Sequence, residues 1–551
     1  MPQIDPITEA LMKPGAPFEV VEASVRGRNA RVFKNAAKTL IEKIDSARAH
    51  GDTEFIVSGE RRLSYAEFFA AADNFSAELV GRHKIRPGAS VAICMKNSPE
   101  WMISFVAILK AGGVAVLVNS RGTGETMAQA VQDTDCVLIL ADERRAEALR
   151  KSECELTIIP ADDIANAPEA EFVPHVPRAE DDAAAMFFTS GTTGIAKAAV
   201  ISNRALVTGT MNSEMAITSV FQRMATAYNI EVETLKSQLP QSCSLLIFPL
   251  FHTSGCSSIF LTTLINGGKL VLMERWNAQE ALRLIEAERV TVLGGVPATL
   301  WDILNAENRK SYDLSSLISL SNGGQAFPRN LLNALRETFP KAYIGAGYGM
   351  TETAGSVSQA TGEALLSRPR ASGTVLPMVD VRIVSDDGQT LDKGGTGEIW
   401  VKGAVLMTEY YGRPEDTEAS FAGDWFRTGD VGYVDEDDYV YIVDRKTDMV
   451  ISGGENIYCV EVEAALNKHP DVFQVCTFGV PDDRLGEKLI ACFVTTDEAL
   501  TSEALEAFAK DNLATYRVPK HFVRVEKPFV LNAMSKIEKS KVRESYLKGE
   551  C

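Results

Sequence analysis

The sequence predicts an α/β protein with a large N-terminal domain of parallel-sheet βαβ subdomains plus a small β-barrel, followed by a small α+β C-terminal domain. Three observations predict this fold. The chain has 551 residues, which is too long for a single core. Short apolar strands alternate with amphipathic helices before residue 372, as in parallel βαβ units. Short strands of alternating polarity follow residue 372, and a compact mixture of strands and helices follows the charged stretch at 444–448.

These changes in pattern give the domain limits. We assign residues 1–443 to the N-terminal domain, with its barrel-like part at about 372–443, and residues 448–551 to the C-terminal domain. The connection at 444–447 is rich in charge and directly follows an apolar strand. About 100 residues remain beyond it, which is a usual size for one domain.

The composition excludes several classes of protein. The net charge of −18 argues against nucleic acid or an anionic membrane surface as the main partner. Nine cysteines lack any C-x-x-C pair, so we expect reduced thiols and a cytoplasmic protein. The first residues show no secretory signal pattern, and no apolar run reaches the length of a transmembrane segment.

Caps mark the first helices. Ser64 and Glu67 form a capping-box pattern that begins a helix to about Leu79, and Ser98 before Pro99 begins another. Apolar runs predict strands at 90–95, 114–118 and 136–141. We expect this part of the chain to be scaffold.

A loop of hydroxyls and glycines follows the apolar strand at 183–188. Six of the eight residues from Thr189 to Ala196 are Ser, Thr or Gly, and Lys197 closes the loop. Glycines let backbone N–H groups converge, and the hydroxyls and the lysine add donors, so the pattern predicts phosphate binding. It is not a Walker loop, because only two residues separate Gly194 from Lys197 and Ala198 follows.

Three later strands also end in candidate ligand-binding residues. The first, at 245–251, ends at His252 and follows a helix at 203–223 and an elaboration at 213–243 that we place beside a pocket. The other two end in glycine-rich runs at 319–325 and 342–353, the last of which includes Glu352. Open α/β sheets bind ligands at the carboxyl ends of their strands, so these ends predict one crevice.

Five motifs in this order resemble those of the ANL superfamily of adenylate-forming enzymes, in its acyl-CoA synthetase (fatty-acid–CoA ligase) branch. They are Thr189–Lys197, Tyr348–Thr353, Thr428–Asp430, Asp444–Arg445 and Lys536. The likeness extends from about Leu63 to Arg543. It implies an AMP-forming acid–thiol ligase that uses ATP, Mg²⁺ and coenzyme A. A carboxylic acid becomes an acyl-adenylate with release of pyrophosphate, and the coenzyme A thiol then displaces AMP. The resemblance also implies that the C-terminal domain is mobile and swings about a hinge at 444–447.

The resemblance assigns roles to individual residues. The catalytic residues are Lys536, Thr351 and Glu352, with Glu352 and Thr192 at the magnesium ion. The nucleotide is bound by Thr189, Ser190, Gly191, Thr192, Thr193, Gly194, Lys197, Gly323, Gly324, Gln325, Tyr348, Gly349, Thr351, Asp430 and Arg445. Asp430 suits two adjacent ribose hydroxyls, since a carboxylate accepts from both. Ser452, Gly453 and Gly454 line the passage for coenzyme A.

The same likeness restricts the acid. The acyl pocket falls on Phe251, His252, Cys256, Gly347, Gly349 and Met350. Amino-acid-activating relatives place an aspartate near the start of the segment at 251–253, and this chain has none there. Acetate-specific relatives have tryptophan where this chain has Gly349, so we expect an open channel. Our hypothesis is a medium- or long-chain fatty acid or a bulky alicyclic acid.

Several residues depart from the family pattern, and alternatives stay open. Ala196 and Ala198 replace the usual proline and glycine around Lys197, Ser535 replaces a glycine before Lys536, and Thr447 stands at the hinge position. An acyl-AMP synthetase that loads a carrier protein is one alternative, and a non-catalytic nucleotide-binding protein is another. A homodimer is one candidate assembly.

Overall fold

The computed structural model confirms the predicted α/β fold. It describes residues 5–172, 176–189, 196–273, 275–323, 327–452, 455–495, 497, 499–531 and 537–550. Among these ranges, no helix combines the length and the apolar character needed to cross a bilayer.

The first part of the chain, up to residue 172, supplies helices and strands to two sheets. Its strands are β1 (Val20–Val25), β2 (Arg28–Phe33), β3 (Glu54–Ser58), β4 (Arg61–Ser64), β5 (Ser90–Cys94), β6 (Val114–Leu117), β7 (Leu138–Ala141) and β8 (Ile158–Pro160). Its helices are α1 (Pro6–Met12), α2 (Leu40–Asp45), α3 (Tyr65–Gly81), α4 (Pro99–Lys110), α5 (Gly124–Asp133), α6 (Glu143–Lys151) and α7 (Ala161–Ala165), with a 3₁₀ turn at Ser46–His50. The capping box of Ser64 and Glu67 is confirmed, with both of its hydrogen bonds formed.

The middle part contains most of the strand ends singled out in the sequence. Its strands are β9 (Ala183–Thr189), β10 (Lys197–Ser202), β11 (Cys243–Leu246), β12 (Lys269–Leu272), β13 (Val292–Gly295), β14 (Ser319–Gly323), β15 (Tyr343–Met350) and β16 (Gly355–Thr361). Its helices are α8 (Asn203–Tyr228), α9 (Val232–Gln238), α10 (Thr262–Ile265), α11 (Ala278–Glu288), α12 (Pro297–Asn305), α13 (Arg329–Thr338) and α14 (Glu363–Ser367). A π-helix lies at Ser254–Leu261, and 3₁₀ turns lie at Arg309–Ser311 and Thr351–Thr353.

The last two parts match the predicted barrel-like region and C-terminal domain. The strands are β17 (Gly373–Val375), β18 (Val379–Val384), β19 (Gly397–Gly403), β20 (Glu409–Tyr410), β21 (Phe421–Ala422), β22 (Trp425–Val434), β23 (Tyr439–Arg445), β24 (Val450–Ser452), β25 (Glu455–Ile457), β26 (Val472–Asp482), β27 (Gly486–Thr495) and β28 (His521–Arg524). The helices are α15 (Pro414–Ser420), α16 (Cys459–Leu466), α17 (Ser502–Asn512) and α18 (Lys539–Lys548), with a 3₁₀ turn at Thr515–Arg517.

The strands pair into two large sheets, a smaller C-terminal sheet and the separate two-stranded β1–β2 sheet. In the first, the run β9-β6-β5-β7-β8 is parallel, and β10 and β20 add antiparallel strands beside β9. In the second, the run β15-β14-β13-β11-β12-β3 is parallel. The barrel-like strands are antiparallel and continue this second sheet through the β16–β17 pairing. The C-terminal sheet has the order β25-β24-β27-β26, with β28 beside β27.

The second sheet has two different faces. Leu293, Leu320 and Ile344 alternate onto one face and are buried in an apolar cluster with helices α11 to α13. On the other face, the alternate positions of β14 and β15 are small residues such as Ser319, Ser321, Gly345 and Gly347, and they line a cleft. Because side chains alternate along a strand, the same short segments build a core on one side and a cavity on the other.

The π-helix covers the cavity face of this sheet. Its Phe260 is fully buried and packs edge-on against Trp101 and Phe105 of α4, with ring centroids 6.3 and 6.1 Å apart. The strand predicted at 245–251 is therefore too long, since β11 ends at Leu246. Asn97 holds the following turn, because it donates to the carbonyl of Phe248 and accepts from the N–H of Leu250.

Two other predictions of elements need correction. The helix expected to end near Arg223 continues to Tyr228, where Asn229 adopts a left-handed conformation and ends it. The first 35 residues carry little pattern in the sequence, yet they form α1 and the β1–β2 hairpin. The domain boundary at 444–447 stays a prediction, with the C-terminal core clusters built from residues Val450 onward.

A buried hydrogen bond links the first part of the chain to the π-helix region. The Tyr65 hydroxyl donates to the carbonyls of Thr263 and Gly268, at 3.2 and 2.8 Å, and Tyr65 is fully buried. We predict that Tyr65→Phe lowers the free energy of unfolding by about 1–3 kcal/mol, because two buried carbonyls lose their donor. Denaturant unfolding followed by circular dichroism measures the change. Tyr228→Phe, at a side chain that is 68% exposed, is the matched control and should have little effect. Equal stability of the Tyr65 and Tyr228 variants would contradict this account.

Candidate active site

A cleft of about 3240 Å³ lies at the carboxyl ends of the two large sheets and continues beside α8. Seven residues predicted to bind the nucleotide line it, namely Thr189, Lys197, Gly323, Tyr348, Gly349, Thr351 and Arg445, and so does Glu352, the predicted magnesium ligand. Five residues predicted for the acid do so too: Phe251, His252, Gly347, Gly349 and Met350. Residues far apart in the chain thus meet in one cleft, because parallel strands end at the same edge of their sheet.

Some of the predicted residues lie outside the part of the chain that the structure describes. They are Ser190, Gly191, Thr192, Thr193, Gly194, Gly324, Gln325, Gly453, Gly454 and Lys536. The two ends of the hydroxyl-rich loop are described, and Thr189 and Lys197 are direct partners in the antiparallel pairing of β9 with β10.

Tyr348 and Arg445 line one end of the cleft, and both contact the buried Asp430, which does not itself line it. The Tyr348 hydroxyl donates to Oδ2 of Asp430 at 2.7 Å, and Arg445 Nε lies 3.3 Å from Oδ1. Asp430 and Arg445 are register partners in β22 and β23, so the sheet itself fixes their spacing. Burial, and then the Asp430 carboxylate, hold the pKa of Tyr348 well above its usual range. The phenol therefore stays a hydrogen-bond donor and orients the buried carboxylate.

Thr351 and Glu352 project from a 3₁₀ turn that directly follows β15. Ala354 ends this turn in a left-handed conformation, and the Glu352 carbonyl accepts from the N–H of Met407. The Tyr410 hydroxyl donates to Oε1 of Glu352 at 2.8 Å. Burial raises the pKa of Glu352, and the Tyr410 hydrogen bond acts in the opposite direction. A carboxylate that is held in this way is ready to be paired with a cation.

Lys197 has a protein partner in this structure. Its Nζ lies 2.6 Å from Oδ1 of Asp416 on α15 and 5.2 Å from the centre of the Tyr410 ring. The ammonium group therefore stands beside the Glu352–Tyr410 pair at the cleft wall. A phosphate group that enters the cleft would compete with Asp416 for this charge.

His252 and Phe251 lie at the acid end of the cleft. The N–H of Ser254 donates to Nδ1 of His252 at 3.2 Å, so the neutral ring carries its proton on Nε2. Gly255 lets the π-helix begin close to the preceding turn, because a Cβ there would lie 2.1 Å from the carbonyl oxygen of Pro249. The Phe251 side chain is buried and contributes to the wall.

Two predicted residues do not line the cleft, and a third lines it but is a glycine for another structural reason. Cys256 is fully buried in the main apolar cluster and does not line the cleft, because it lies on the core side of the π-helix. Ser452 is buried in β24, where it pairs with Glu455 and Gly486, and also does not line the cleft. Gly349 lines it, but a Cβ there would lie 2.1 Å from the carbonyl oxygen of Gly355. Glycine at 349 is thus required by the close β15–β16 pairing, apart from any effect on channel width.

Sequence reasoning missed four residues that the structure places at the site. Tyr410 and Asp416 contact Glu352 and Lys197, Asn97 fixes the turn before His252, and Asn212 on α8 lines the cleft. No local motif marks them. Asn212 stands among other polar residues, between Thr210 and Glu214, so its amide gave no signal either.

Asp444 connects the end of β23 to the C-terminal part of the chain. It is 2% exposed, and its carboxylate accepts from the N–H groups of Arg445 at 2.8 Å and Val460 at 3.3 Å. Nearby, Lys539 Nζ lies 2.8 Å from Oε1 of Glu463. Burial raises the pKa of Asp444 to about 6, with Lys539 opposing the shift.

Comparisons with known proteins match nearly the whole chain. The family profile described as AMP-binding enzyme matches residues 44–411, and that of the AMP-binding enzyme C-terminal domain matches residues 461–533. A 2-succinylbenzoate–CoA ligase of Bacillus velezensis is 30% identical over 90% of this chain and 95% of its own length. A feruloyl-CoA synthase of Amycolatopsis is 32% identical, over 89% of this chain and 95% of its own. The long-chain-fatty-acid–CoA ligase FadD13 of Mycobacterium tuberculosis is 29% identical, over 89% of this chain and 94% of its own length.

Solved structures show the same fold. The o-succinylbenzoate CoA synthetase MenE of Bacillus subtilis, in complex with its acyl-adenylate intermediate, superposes with a TM-score of 0.79 at 27% identity, covering 92% of this chain and 98% of that one. The same enzyme in complex with ATP and magnesium ion gives a TM-score of 0.78 at 28% identity, covering 91% of this chain and 98% of that one.

The buried Asp444 gives a prediction for pH. Its pKa in the folded chain is about 6 against an ordinary value of 3.8, so the folded state favours the protonated form. Protonated Asp444 therefore adds on the order of 3 kcal/mol to the free energy of unfolding. This contribution is fully present below about pH 4 and is lost as the pH rises through 6. Asp444→Asn stays neutral, so its melting temperature should rise relative to the wild type between pH 4 and pH 7. Differential scanning calorimetry measures it, with Asp386→Asn on the exposed surface as control. Melting curves that keep a constant offset across this range would contradict the assignment.

Proposed function

Because the chain belongs to the AMP-binding enzyme family of adenylate-forming proteins, we propose that it is an ATP-dependent acyl-CoA ligase. The predicted membership of the ANL superfamily, in its acyl-CoA ligase branch, is confirmed by the matched family and the relatives. The observation that carries the proposal is the convergence of nucleotide-binding and acid-binding candidates on one cleft. Its substrates are ATP, coenzyme A and a carboxylic acid.

The first reaction joins the acid to AMP. A carboxylate oxygen attacks the α-phosphorus of ATP, and the bond from that phosphorus to the leaving pyrophosphate breaks. The two reactants repel each other, so the protein acts mainly by positioning and electrostatics. We assign the α-phosphate to Thr351, the ribose hydroxyls to Asp430 and the adenine side to Gly323 and Tyr348. Lys197 and the hydroxyl-rich loop would hold the outgoing phosphates.

Glu352 has the chemistry of a magnesium ligand. Its carboxylate lies at the cleft, and Mg²⁺ is often bound by one or two carboxylates together with substrate phosphates and water. Among the described residues, no cluster of three or more His, Cys, Asp or Glu side chains could hold a metal without such help. The ion would neutralise phosphate charge, and Tyr410 would orient the carboxylate that holds it.

The second reaction forms the thioester. The coenzyme A sulfur attacks the acyl carbon, the carbon–oxygen bond to AMP breaks, and the thiol proton is released. We propose that the C-terminal domain (448–551) moves about the hinge at 444–447 between the two reactions. In this structure Leu531 and Glu538 line the cleft, and Leu531 pairs with Ile537. These residues flank the segment that contains Lys536, which fits the adenylation arrangement.

For the acid we propose a medium- or long-chain fatty acid or a bulky alicyclic acid. The cleft supports a large substrate, since it continues from Gly347 beside α8 as far as Tyr228 and Lys236. The elaboration predicted at 213–243 contributes these residues. An ATP–pyrophosphate exchange panel of aliphatic, alicyclic and aromatic acids tests the class, and exchange confined to acetate would overturn it.

The carrier-protein alternative shares the first reaction and differs in the acceptor. Consumption of free thiol with coenzyme A as acceptor, followed by mass spectrometry of the product, separates the two. The non-catalytic alternative predicts ATP binding without acid-dependent release of pyrophosphate. We favour the ligase because Glu352 and Arg445 line the cleft and Asp430 is held beside it by Tyr348 and Arg445.

Removal of the proposed mobile lysine should separate the two reactions. We predict that Lys536→Ala lowers the rate of ATP–pyrophosphate exchange at least about 100-fold, since its charge would bridge the carboxylate and the α-phosphate. Thioester formation from supplied acyl-AMP should stay within a few-fold of the wild type. Lys548→Ala, at an exposed lysine paired with Glu544, is the control. Equal loss of both reactions would count against the domain movement.

A further inference from the structure

We propose that the acid activated by this protein carries a hydroxyl group, and that Asn212 holds this hydroxyl inside the cleft. The inference rests on the proposed ligase function and names its substrate class more closely. It makes Asn212 a specificity-determining residue, at a position where no motif of the sequence assigns a role.

The first observation is an amide without partners. Asn212 is 3% exposed and lines the cleft. Neither Nδ2 nor Oδ1 makes a hydrogen bond with the residues that the structure describes. Buried polar side chains are nearly always paired, so an unpaired buried amide on a residue that lines a substrate cleft indicates a ligand that completes it.

Other polar side chains on α8 are satisfied by the protein. The Thr210 hydroxyl donates to the carbonyl of Val207, and the Ser213 hydroxyl donates to that of Gly209. Ser219 lies within hydrogen-bond distance of Thr8 on α1, at 3.1 Å. Asn212 differs from these neighbours on the same helix, because both of its polar atoms are buried and lack a partner among the described residues.

The position of Asn212 places the hydroxyl near the reacting end of the acid. Helix α8 passes close to the turn that holds Thr351, since a Cβ on Gly209 would lie 3.3 Å from the carbonyl oxygen of Ala354. Asn212 follows Gly209 by three residues, about 4.5 Å along the helix. Ser219, near the other end of this wall, is about 10 Å farther. We therefore expect the amide to contact the acid between its carboxylate and its distal end, nearer to the carboxylate.

The chemistry of an amide favours a hydroxyl over other groups. Oδ1 accepts a hydrogen bond and Nδ2 donates one, and a hydroxyl can serve as donor and acceptor at once. A keto oxygen would leave Oδ1 unpaired, and a methylene group would leave both atoms unpaired. The sheet face that borders the cleft carries small side chains at Ser319, Ser321 and Gly345, which leave room for a substituent.

Matched pairs of acids test the inference. The pairs are decanoic acid with its monohydroxy isomers and cholanic acid with its hydroxylated forms. The readout is the preference, defined as kcat/KM for the hydroxylated acid divided by that for its parent, in ATP–pyrophosphate exchange. We expect at least one pair with a preference of about 10- to 100-fold in the wild type, because the parent leaves a buried amide unpaired.

Two substitutions assign the preference to Asn212. Asn212→Leu and Asn212→Ala should each reduce the preference at least about 10-fold. Two variants are used so that a folding defect in one of them does not decide the test, and the melting temperature of each variant reports its folding. Gln222→Leu removes an amide from the same helix at a residue that does not line the cleft, and should keep the preference.

The outcomes are distinct. Wild-type exchange with the parent acids but no preference in any pair would overturn the inference, with Asn212 then paired to an ordered water, and leave the ligase function standing. A preference that survives both Asn212 variants would also overturn it. If no acid of the panel supports exchange, the proposed function itself fails and the inference falls with it.

Discussion

A sheet face almost free of large side chains is the constraint on which the rest of the site depends. On β14 and β15, Leu320 and Ile344 build the core against the helices, while Ser321, Gly345 and Gly347 face the cleft. Had ordinary apolar residues occupied these alternate positions, they would have filled the space needed by the acid. The π-helix can then close over the cavity from the other side, anchored by Phe260. Substrate space is thus created by small residues on the strands.

The second constraint is charge. The protein carries a net charge of −18, and the site adds the carboxylate of Glu352, which lines the cleft, and that of Asp430, which accepts from Tyr348, although all three proposed substrates are anions. Each carboxylate is oriented by a tyrosine hydroxyl, Tyr410 in one case and Tyr348 in the other. Positive charge comes from Lys197 and Arg445, which are held by Asp416 and Asp430. Such pairing keeps the cations in place, and a phosphate or a ribose can take over part of these contacts when it binds.

The strand ends and their glycines were predictable from the sequence, because buried strands and glycine-rich turns leave a strong local pattern. The continuation of α8 to Tyr228, the roles of Tyr410 and Asp416, and the true reason for Gly349 were not. Each of these depends on a contact between distant segments, such as Gly349 with Gly355 across the β-bulge or Tyr410 with Glu352 across 58 positions. Cys256 was placed in the acyl pocket by the family likeness, whereas the π-helix turns that residue into the core. Local pattern therefore indicated the chemistry, and tertiary packing decided which side chains reach it.

The central claim is that a carboxylate oxygen of the acid becomes bonded to the α-phosphorus of ATP. An acid from the exchange panel, labelled with oxygen-18 in its carboxylate, tests it most directly in a single turnover with ATP and coenzyme A. The account predicts that the released AMP carries one labelled oxygen and that pyrophosphate carries none. Label in pyrophosphate or inorganic phosphate, or thioester formed with unlabelled AMP, would contradict it.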